Sequence, residues 1–367
     1  MLSRVLTAKP RKIFKHGAKS TFGWSSKSVS ASVNYDDFST AVGFMEDLPL
    51  VYCGGHHDHR GRKQSCGSNS CETDTGWAHL RLKEVLRASI GVLGDQSRLG
   101  MTEKVVLTGG KIYVLKRFRK LSVGKSEFGK RIERFTQAIV NSKNLVPVTA
   151  YLYAKRIKFF LCDYYPMGSL ADLLAGSRKH GHTALCWNQR LTIVLHIARA
   201  IAFIHAISPA QEKSMQMNVH GNIKASNVMI NTDFSASLSD YGIAQIAERV
   251  EVLNAWQWRP VSPTDVYYTN VLCQKCDVFN FGVIILDILG GPDGTTLFMT
   301  NFVNEIKRGV KTGEIEFFEF SMKEEKEKKQ AWQVLDIALA CTNKQPEARP
   351  TIEQILLYLG DVCNNVA

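Results

Sequence analysis

The sequence has no apolar run long enough to cross a membrane. Its best candidate, residues 279–289, is interrupted by Asn280 and Asp287 and is much shorter than the roughly 20 residues that a transmembrane helix needs. The sequence therefore predicts no membrane span. With 367 residues, of which 45% are apolar and 22% charged, the composition is ordinary for a soluble globular protein with a large core.

A secretory signal is also missing. Nine cysteines are scattered along the chain, so we expect reduced intracellular thiols rather than a disulfide framework. One stretch of small polar residues contains several zinc-type ligands: Cys53, His56, His57, His59, Cys66, Cys71 and His79. Their spacing matches no framework of paired Cys-x-x-Cys ligands. We interpret residues 36–78 as a flexible linker, with a metal site as the alternative.

Residues 1–35 contain no Asp or Glu. They carry seven Lys or Arg residues, which is more than half of the net charge of +12, so the rest of the chain is only mildly basic. Three interpretations compete: a solvated tail, a segment attracted to an anionic membrane surface, and an organelle transit peptide. Because the basic charge is confined to this tail and no recognition motif follows it, we expect no nucleic-acid binding.

One stretch in the middle of the chain carries the chemistry. Residues 219–227 read Val-His-Gly-Asn-Ile-Lys-Ala-Ser-Asn, and Asp-Tyr-Gly follows at 240–242 after a short strand-turn-strand pattern. The stretch resembles the active-site core of eukaryotic protein kinases. In that family a His-Arg-Asp loop holds the catalytic base and an Asp-Phe-Gly turn binds Mg²⁺. The resemblance implies a catalytic-loop role for Lys224, and roles as Mg²⁺ and nucleotide ligands for Asn227 and Asp240.

Two positions of this catalytic loop, residues 219–227, depart from the family pattern. The family's Arg is Gly221, and the Asp that accepts the substrate's hydroxyl proton is Asn222. An amide cannot act as this base, because its nitrogen is a donor and its carbonyl is a very weak base at neutral pH. The sequence therefore predicts a kinase fold and argues against kinase chemistry.

The resemblance extends upstream to a phosphate-binding loop. Residues 82–94 are similar to the entry into the kinase domain of plant leucine-rich-repeat receptor-like kinases. In the Gly-rich loop that should follow, backbone N–H groups close on the ATP phosphates. Gly94 and Gly100 remain there as nucleotide-binding positions, but Asp95 adds a negative charge. We expect this loop to hold phosphates poorly.

A lysine and a helix glutamate complete the implied nucleotide site. Lys116 follows an apolar strand and matches the family's phosphate-pairing Lys. The pattern of residues 126–141 predicts a helix, in which Glu133 is the expected partner of Lys116, with Glu127 as the alternative. Further along, the resemblance implies that Asp277 bonds the backbone of the catalytic loop and that Arg349 has lost the Glu with which it pairs in the family.

Together, these motifs imply an α+β, two-lobed protein kinase-like fold. We predict a basic tail and linker over residues 1–79, a kinase-like N-lobe over 80–163 and a helical C-lobe over 164–367. A receptor of this type needs a membrane span. We therefore expect either a cytoplasmic member of the group or a chain that lacks the ectodomain half.

The predicted function is that of a receptor-like pseudokinase, a signalling scaffold or allosteric partner with weak or absent binding of ATP and Mg²⁺. A low-activity serine/threonine kinase and a nucleotide-independent interaction module are the alternatives. The expected partners are other protein kinases or receptor complexes, together with an anionic membrane surface that residues 1–35 would contact. The expected location is the cytoplasm at the inner face of the plasma membrane, with an organelle as the alternative.

Overall fold

The computed structural model shows a sheet-rich N-lobe and a helical C-lobe. The residues that the structure describes are 48–53, 80–93, 100–118, 121, 123–155, 157–179, 185–209, 215–247, 272–299 and 303–364. The predictions for the basic tail, for Gly94 and Asp95 in the phosphate loop, and for most of the Cys/His-rich stretch lie outside these residues.

The N-lobe is built on a six-stranded antiparallel sheet with the strand order β1-β5-β6-β4-β3-β2. The strands are β1 Val51–Tyr52, β2 Ser89–Val92, β3 Gly100–Val106, β4 Ile112–Phe118, β5 Val148–Tyr153 and β6 Lys158–Asp163. Helix α1, Leu82–Arg87, precedes β2. Along β4, Tyr113 and Leu115 are buried while the intervening residues are partly exposed, as expected for a sheet with one covered face.

Strand β1 lies in the stretch that the sequence analysis assigns to the linker. Val51 pairs with Tyr151 of β5, and the N–H of Cys53 donates to the carbonyl of Thr149 at 3.0 Å. Leu50 is buried in the same region. The linker prediction therefore does not hold for residues 48–53. A two-residue strand has no periodicity of its own, and only its partner about 100 residues later along the chain makes it recognisable.

Helix α2, Lys125–Ile139, packs on this sheet close to its predicted position. Its apolar residues recur three and four positions apart and are all buried: Phe128, Ile132, Phe135 and Ile139. The ring of Phe128 contacts those of Tyr151 and Tyr153 on β5. This packing fixes the rotation of α2, and therefore decides which of its polar residues face the candidate site.

The C-lobe contains seven further helices among the described residues and one small hairpin. The helices are α3 Leu170–Arg178, α4 Trp187–His205, α5 Ile243–Ala247, α6 Gln274–Phe298, α7 Val303–Thr312, α8 Glu325–Cys341 and α9 Ile352–Asn364. The hairpin pairs β7, Val228–Ile230, with β8, Ala236–Leu238. It follows the catalytic loop directly and leads into Asp240.

Helix α6 is the central helix of the C-lobe. Within the described part of the chain it alone is long and apolar enough to cross a membrane, but 72% of its most apolar window is buried inside the protein. Gly291 interrupts it with φ 68°, at the Gly-Gly-Pro sequence where a helix stop is expected. A helix that is apolar on all sides and enclosed by other helices is a core helix.

Two cysteines depart from the expectation of reduced thiols. Cys273 and Cys276 form a disulfide across the first turn of α6, with their Cα atoms 5.1 Å apart. The remaining described cysteines are free: Cys53, Cys162, Cys186, Cys341 and Cys363. The described residues include no group of three or more His, Cys, Asp or Glu side chains that could hold a metal ion. Most of the ligands of the alternative metal site lie outside those residues.

Candidate functional site

Asp277, at the start of α6, holds the backbone of the catalytic loop. Its side chain is only 1% exposed. Oδ2 accepts the N–H of His220 at 2.8 Å, and Oδ1 accepts the N–H of Gly221 at 3.0 Å. Nε2 of His205, from α4, is 3.1 Å from Oδ2. The expectation that Asp277 bonds the loop backbone is therefore confirmed.

The imidazole of His220 is buried between the loop and the hairpin. Its Nε2 lies 3.1 Å from the carbonyl oxygen of Ser239, and its Nδ1 lies 3.2 Å from the backbone nitrogen of Asn222. The two contacts require Nε2 to be the donor and Nδ1 to be the acceptor, which is the neutral form of the ring. Burial lowers the pKa of His220 and favours the same neutral form.

Acid should destabilise the protein through its buried neutral histidines. His196 is partly buried: burial lowers its pKa as well, and its Nδ1 accepts the N–H of Ala236 at 3.1 Å. Because both pKa values are depressed in the folded state, the neutral rings contribute their full stability above the ordinary pKa of 6.5. That contribution is lost as the pH falls from 6.5 towards the folded pKa, since the unfolded chain binds protons first.

We therefore expect urea melts to show a free energy of unfolding that decreases from pH 7 to pH 5. His196→Asn keeps an acceptor near the position of Nδ1 but cannot titrate, so it should remove part of that slope. His205 contacts the carboxylate of Asp277 rather than a backbone N–H, so it is left unchanged in this comparison. If the free energy of unfolding of His196→Asn depended on pH as strongly as that of the wild type, the ring of His196 would not be a source of the pH dependence.

The catalytic loop and the turn before Asp240 are joined through Asn227. Its Nδ2 donates to the carbonyl of Asn222 at 2.8 Å, and its own carbonyl accepts the N–H of Ser239 at 2.8 Å. Lys224 is half-buried and comes directly before the 3-10 turn Ala225–Asn227. The fold thus brings Asn222, Lys224 and Asn227 to one edge of the C-lobe beside Asp240.

Lys116 of β4 forms an ion pair with Asp240. Its Nζ contacts Oδ1 of the carboxylate, and the side chains of Lys116 and Asp240 are 20% and 13% exposed. Asp240 also has a positive φ of 69°, an unusual conformation for a residue other than Gly. In the kinase reaction these two side chains hold phosphates and Mg²⁺. Here they neutralise each other.

Glu133 is not the partner of Lys116. Its Oε1 accepts the hydroxyl of Tyr151 at 2.8 Å, so this carboxylate faces β5. Burial and the neighbouring Glu133 raise the pKa of Tyr151. Glu127, the alternative partner, pairs instead with Arg131 at 2.5 Å. The predicted pairing is wrong because the packing of α2 turns Glu133 towards the sheet.

Arg131 is a polar residue of α2 that reaches the segment after Asp240. It is 5% exposed, and its Nη1 donates to the carbonyl of Gln245 on α5. Residues two apart on an α-helix point in nearly opposite directions, which explains why Arg131 faces α5 while Glu133 faces β5. Arg131 is three residues after Phe128 and four before Phe135, so the buried stripe of α2 could have identified it from the sequence.

Tyr241 keeps the role of the Phe that the family has in the Asp-Phe-Gly turn. Its ring packs edge-on against Phe135 of α2, with centroids 4.9 Å apart. The hydroxyl donates to the carbonyl of Met217, which satisfies the additional polar group that Tyr brings into the core. Burial raises the pKa of Tyr241, so it remains a neutral donor. The substitution of Tyr for Phe therefore preserves the packing between the lobes.

The residues that would hold Mg²⁺ do not fit the ion in this arrangement. Mg²⁺ requires oxygen ligands in near-octahedral geometry. The carboxylate of Asp240 faces an ammonium group, whereas the bond that Asn227 makes with the loop uses its Nδ2 and not the Oδ1 that would bind the ion. Gly100 belongs to β3, where it pairs with Phe118, while Gly94 lies outside the described residues. A nucleotide with Mg²⁺ must therefore first separate Lys116 from Asp240.

Comparisons with known proteins find relatives among plant receptor kinases. A probable inactive receptor kinase of Arabidopsis thaliana is 33% identical over 288 residues, which cover 77% of this chain and 44% of that protein. An inactive leucine-rich repeat receptor-like serine/threonine-protein kinase of the same plant is 31% identical over 293 residues, covering 76% and 42%. The chain thus spans less than half of the length of these curated relatives.

Solved structures show the same fold. The pseudokinase domain of BIR2, described as an immune regulator of the RLK/Pelle family, superposes with a TM-score of 0.62 at 20% identity, covering 89% of this chain and 93% of that one. The kinase domain of maize SIRK1 bound to AMP-PNP gives 0.59 at 23% identity, covering 77% and 96%. A model of the protein kinase domain matches residues 94–358. The chain therefore belongs to the protein kinase family.

Proposed function

We propose that the protein is a receptor-like pseudokinase that acts by binding other proteins and not by transferring phosphate. The ion pair between Lys116 and Asp240 carries this proposal. Both side chains are needed for phosphoryl transfer, one for the phosphates and one for Mg²⁺, and here each contacts the other. Asn222 stands at the position of the base and cannot remove the proton. Lys116 and Asp240, being paired with each other, do not stabilise charge on the phosphates.

The cation of Arg131 reinforces this inactive arrangement. In active kinases a helix glutamate draws the lysine away from the Asp-Phe-Gly aspartate. Arg131 lies on the face of α2 that points to the segment after Asp240, and Glu133 faces away. Glu127 on this face pairs with Arg131, and Glu133 bonds Tyr151. Lys116 therefore pairs with Asp240 instead of a carboxylate of α2. Partly buried ion pairs are screened less by solvent than exposed ones, which favours persistence of the pair.

The framework of the site is well built although its chemistry is lost. Asp277 fixes the catalytic loop, and Tyr241 packs between α2 and the loop. Such a rigid domain suits recognition by another protein, because an ordered surface loses little entropy on binding. The relatives named inactive receptor kinases support other protein kinases or receptor complexes as the partners. We place the protein in the cytoplasm at the inner face of the plasma membrane, with residues 1–35 at the lipid surface.

Two other functions are compatible with the family. A slow serine/threonine kinase is favoured by the presence of Lys116, Asn227 and Asp240. A nucleotide-independent module is favoured by the ion pair between Lys116 and Asp240. The maize structure was solved with AMP-PNP, so ATP binding occurs on this fold in at least that protein. Nucleotide affinity and phosphate transfer therefore separate the three functions.

We expect ATP with Mg²⁺ to stabilise the protein only slightly. A ligand at one hundred times its Kd stabilises the folded state by about 2.7 kcal/mol, so a micromolar binder at millimolar concentration gives a clear rise in Tm. Breaking the pair between Lys116 and Asp240 consumes part of the binding energy, so the rise should be much smaller. Thermal melts of the full chain with ATP and Mg²⁺, ATP alone, and Mg²⁺ alone provide the measurement.

Lys116→Ala is the matched control for these melts. It removes the phosphate-pairing cation, so any rise in Tm that depends on the site should disappear in this variant. A micromolar Kd in the wild type that is lost in Lys116→Ala would contradict the proposal of a closed site. It would favour the slow kinase.

A further inference from the structure

The disulfide at the start of α6 lies in a position suited to thiol chemistry. Cys273 is the N-cap of the helix, and its Sγ accepts the N–H of Cys276 at 3.0 Å. Cys273 is partly exposed, whereas Cys276 is buried at 9% exposure. A reagent from solution therefore meets Cys273 first. Cys276 lies behind it, within bonding distance.

The helix terminus favours the thiolate that such chemistry needs. The N–H of Cys276 and the positive end of the dipole of α6 stabilise a negative charge at the N-cap. Cysteines at helix N-termini and in Cys-X-X-Cys motifs have lowered pKa values for this reason. A thiolate stabilised in this way forms readily at neutral pH and is also a good leaving group in thiol–disulfide exchange. The bond between Cys273 and Cys276 is independent evidence that the two sulfurs can react with each other.

The two cysteines are flanked by residues that hold the catalytic loop. On one side, Leu272 packs so closely over Gly221 that a Cβ at this glycine would lie 2.1 Å from its Cδ2. On the other side, Asp277 accepts the N–H groups of His220 and Gly221. Nε2 of Gln274 donates to the carbonyl of Asn218 at 3.1 Å. The helical turn that the disulfide closes therefore contacts the loop from both sides.

We propose that Cys273 and Cys276 are a reversible dithiol–disulfide site that controls the order of the catalytic loop. In the oxidised form the cross-link holds Leu272 and Asp277 in register around Gly221. In the reduced form the first turn of α6 can fray, and the contacts with the loop weaken. This inference goes beyond the proposed function and does not depend on it, since the contacts of Leu272 and Asp277 with the loop involve neither Lys116 nor Asp240.

The oxidation needs a disulfide-containing oxidant, either a small molecule or a protein. The thiolate of Cys273 attacks one sulfur of that disulfide, forms a mixed disulfide and releases the first thiolate. The thiolate of Cys276 then attacks Sγ of Cys273 and releases the second thiolate. The two protons lost by the cysteines pass to the released thiolates, and two electrons move from the pair to the oxidant. A dithiol reductant reverses both steps.

Glutathione titration of the full chain tests the redox step. Trypsin cuts after Lys275, between the two cysteines, so the peptides on either side stay joined only by the disulfide. After alkylation of free thiols, we expect the joined fraction to increase with the proportion of oxidised glutathione and to vanish with dithiothreitol. Buried Cys162 and Cys341 should remain alkylatable only after unfolding. A joined fraction that does not change with the glutathione ratio would overturn the proposal.

Hydrogen exchange of the peptide that contains residues 217–224 tests the coupling. We expect exchange several-fold faster in the reduced wild type than in the oxidised wild type. Cys273→Ser retains an N-cap oxygen for the N–H of Cys276 but cannot form the bond, so it should exchange like the reduced protein in both buffers. Cys186→Ser, at an exposed free cysteine, should behave like the wild type. Equal exchange in both states of the wild type, or a redox response that persists in Cys273→Ser, would overturn the proposed control of the loop.

Discussion

Replacing Asp277 by Ala should lower the free energy of unfolding by about 3–5 kcal/mol, the range for breaking a buried charge interaction. The carboxylate accepts two backbone N–H groups of the catalytic loop and contacts His205. With only 1% of its side chain exposed, water cannot easily replace it. The N–H groups of His220 and Gly221 would then be buried without partners, and each such group costs about 1–3 kcal/mol.

Asp277→Asn is the matched variant, because it keeps the shape and one acceptor oxygen while it loses the charge and the second acceptor. We expect Asp277→Asn to lower the free energy of unfolding by about 1–3 kcal/mol relative to the wild type, which is less than the loss in Asp277→Ala. Urea unfolding gives both values, and hydrogen exchange shows whether the loop is the first part to open. If Asp277→Ala were as stable as the wild type, other contacts would have to hold the loop, and the redox coupling through α6 would lose its physical basis.

The frame of the site could be predicted from the sequence because its determinants are local. The spacing of Phe128, Ile132 and Phe135 places helix α2 to within one or two residues. Asp277 and the catalytic loop belong to short motifs with fixed order, so their contact follows from the family resemblance. The replacement of the base by Asn222 is also visible directly in the sequence.

The electrostatics of the site could not be predicted in the same way. Glu133 was expected opposite Lys116 because it is an acidic residue at about the right distance along the chain, but the rotation of α2 decides which side chain faces the site. That rotation turns Glu133 to the hydroxyl of Tyr151 and Arg131 to the carbonyl of Gln245. The pair between Lys116 and Asp240 joins residues 124 positions apart, and no local pattern encodes it. The disulfide is local, but two cysteines three residues apart are equally compatible with free thiols.

Asn222→Asp alone should not produce a protein kinase. Restoring a general base contributes on the order of 10² to 10⁴ in rate when the rest of the site is intact. Here Lys116 and Asp240 are engaged with each other, and phosphoryl transfer depends almost entirely on positioning and charge stabilisation. Gly221 cannot simply be changed to the family's Arg either. Its φ is 72°, and Leu272 occupies the space that a side chain needs.

The decisive comparison adds a carboxylate on α2. Arg131→Glu exchanges a buried cation on the α2 face that points to the segment after Asp240 for a carboxylate, which should attract Lys116 and repel Asp240, so Asn222→Asp with Arg131→Glu should bind ATP and Mg²⁺ more tightly than Asn222→Asp does. Radiolabel transfer onto the protein itself and onto a generic substrate measures activity. We expect none above background in the wild type and in Asn222→Asp. A further variant, with Lys116→Ala added to Asn222→Asp, is the control for traces of contaminating kinases.

Strong transfer in the wild type or in Asn222→Asp that disappears with Lys116→Ala would show that the ion pair opens readily and that the protein is an enzyme. Tighter nucleotide binding without transfer in the double variant would instead show that a further barrier remains after the base is restored and the ion pair is weakened. That second result is the one we expect, because the double variant restores the base and adds a carboxylate on α2 but leaves Gly221 in the catalytic loop. With its positive φ and no side chain, Gly221 cannot supply the positive charge that many kinases use to order a phosphorylated activation segment.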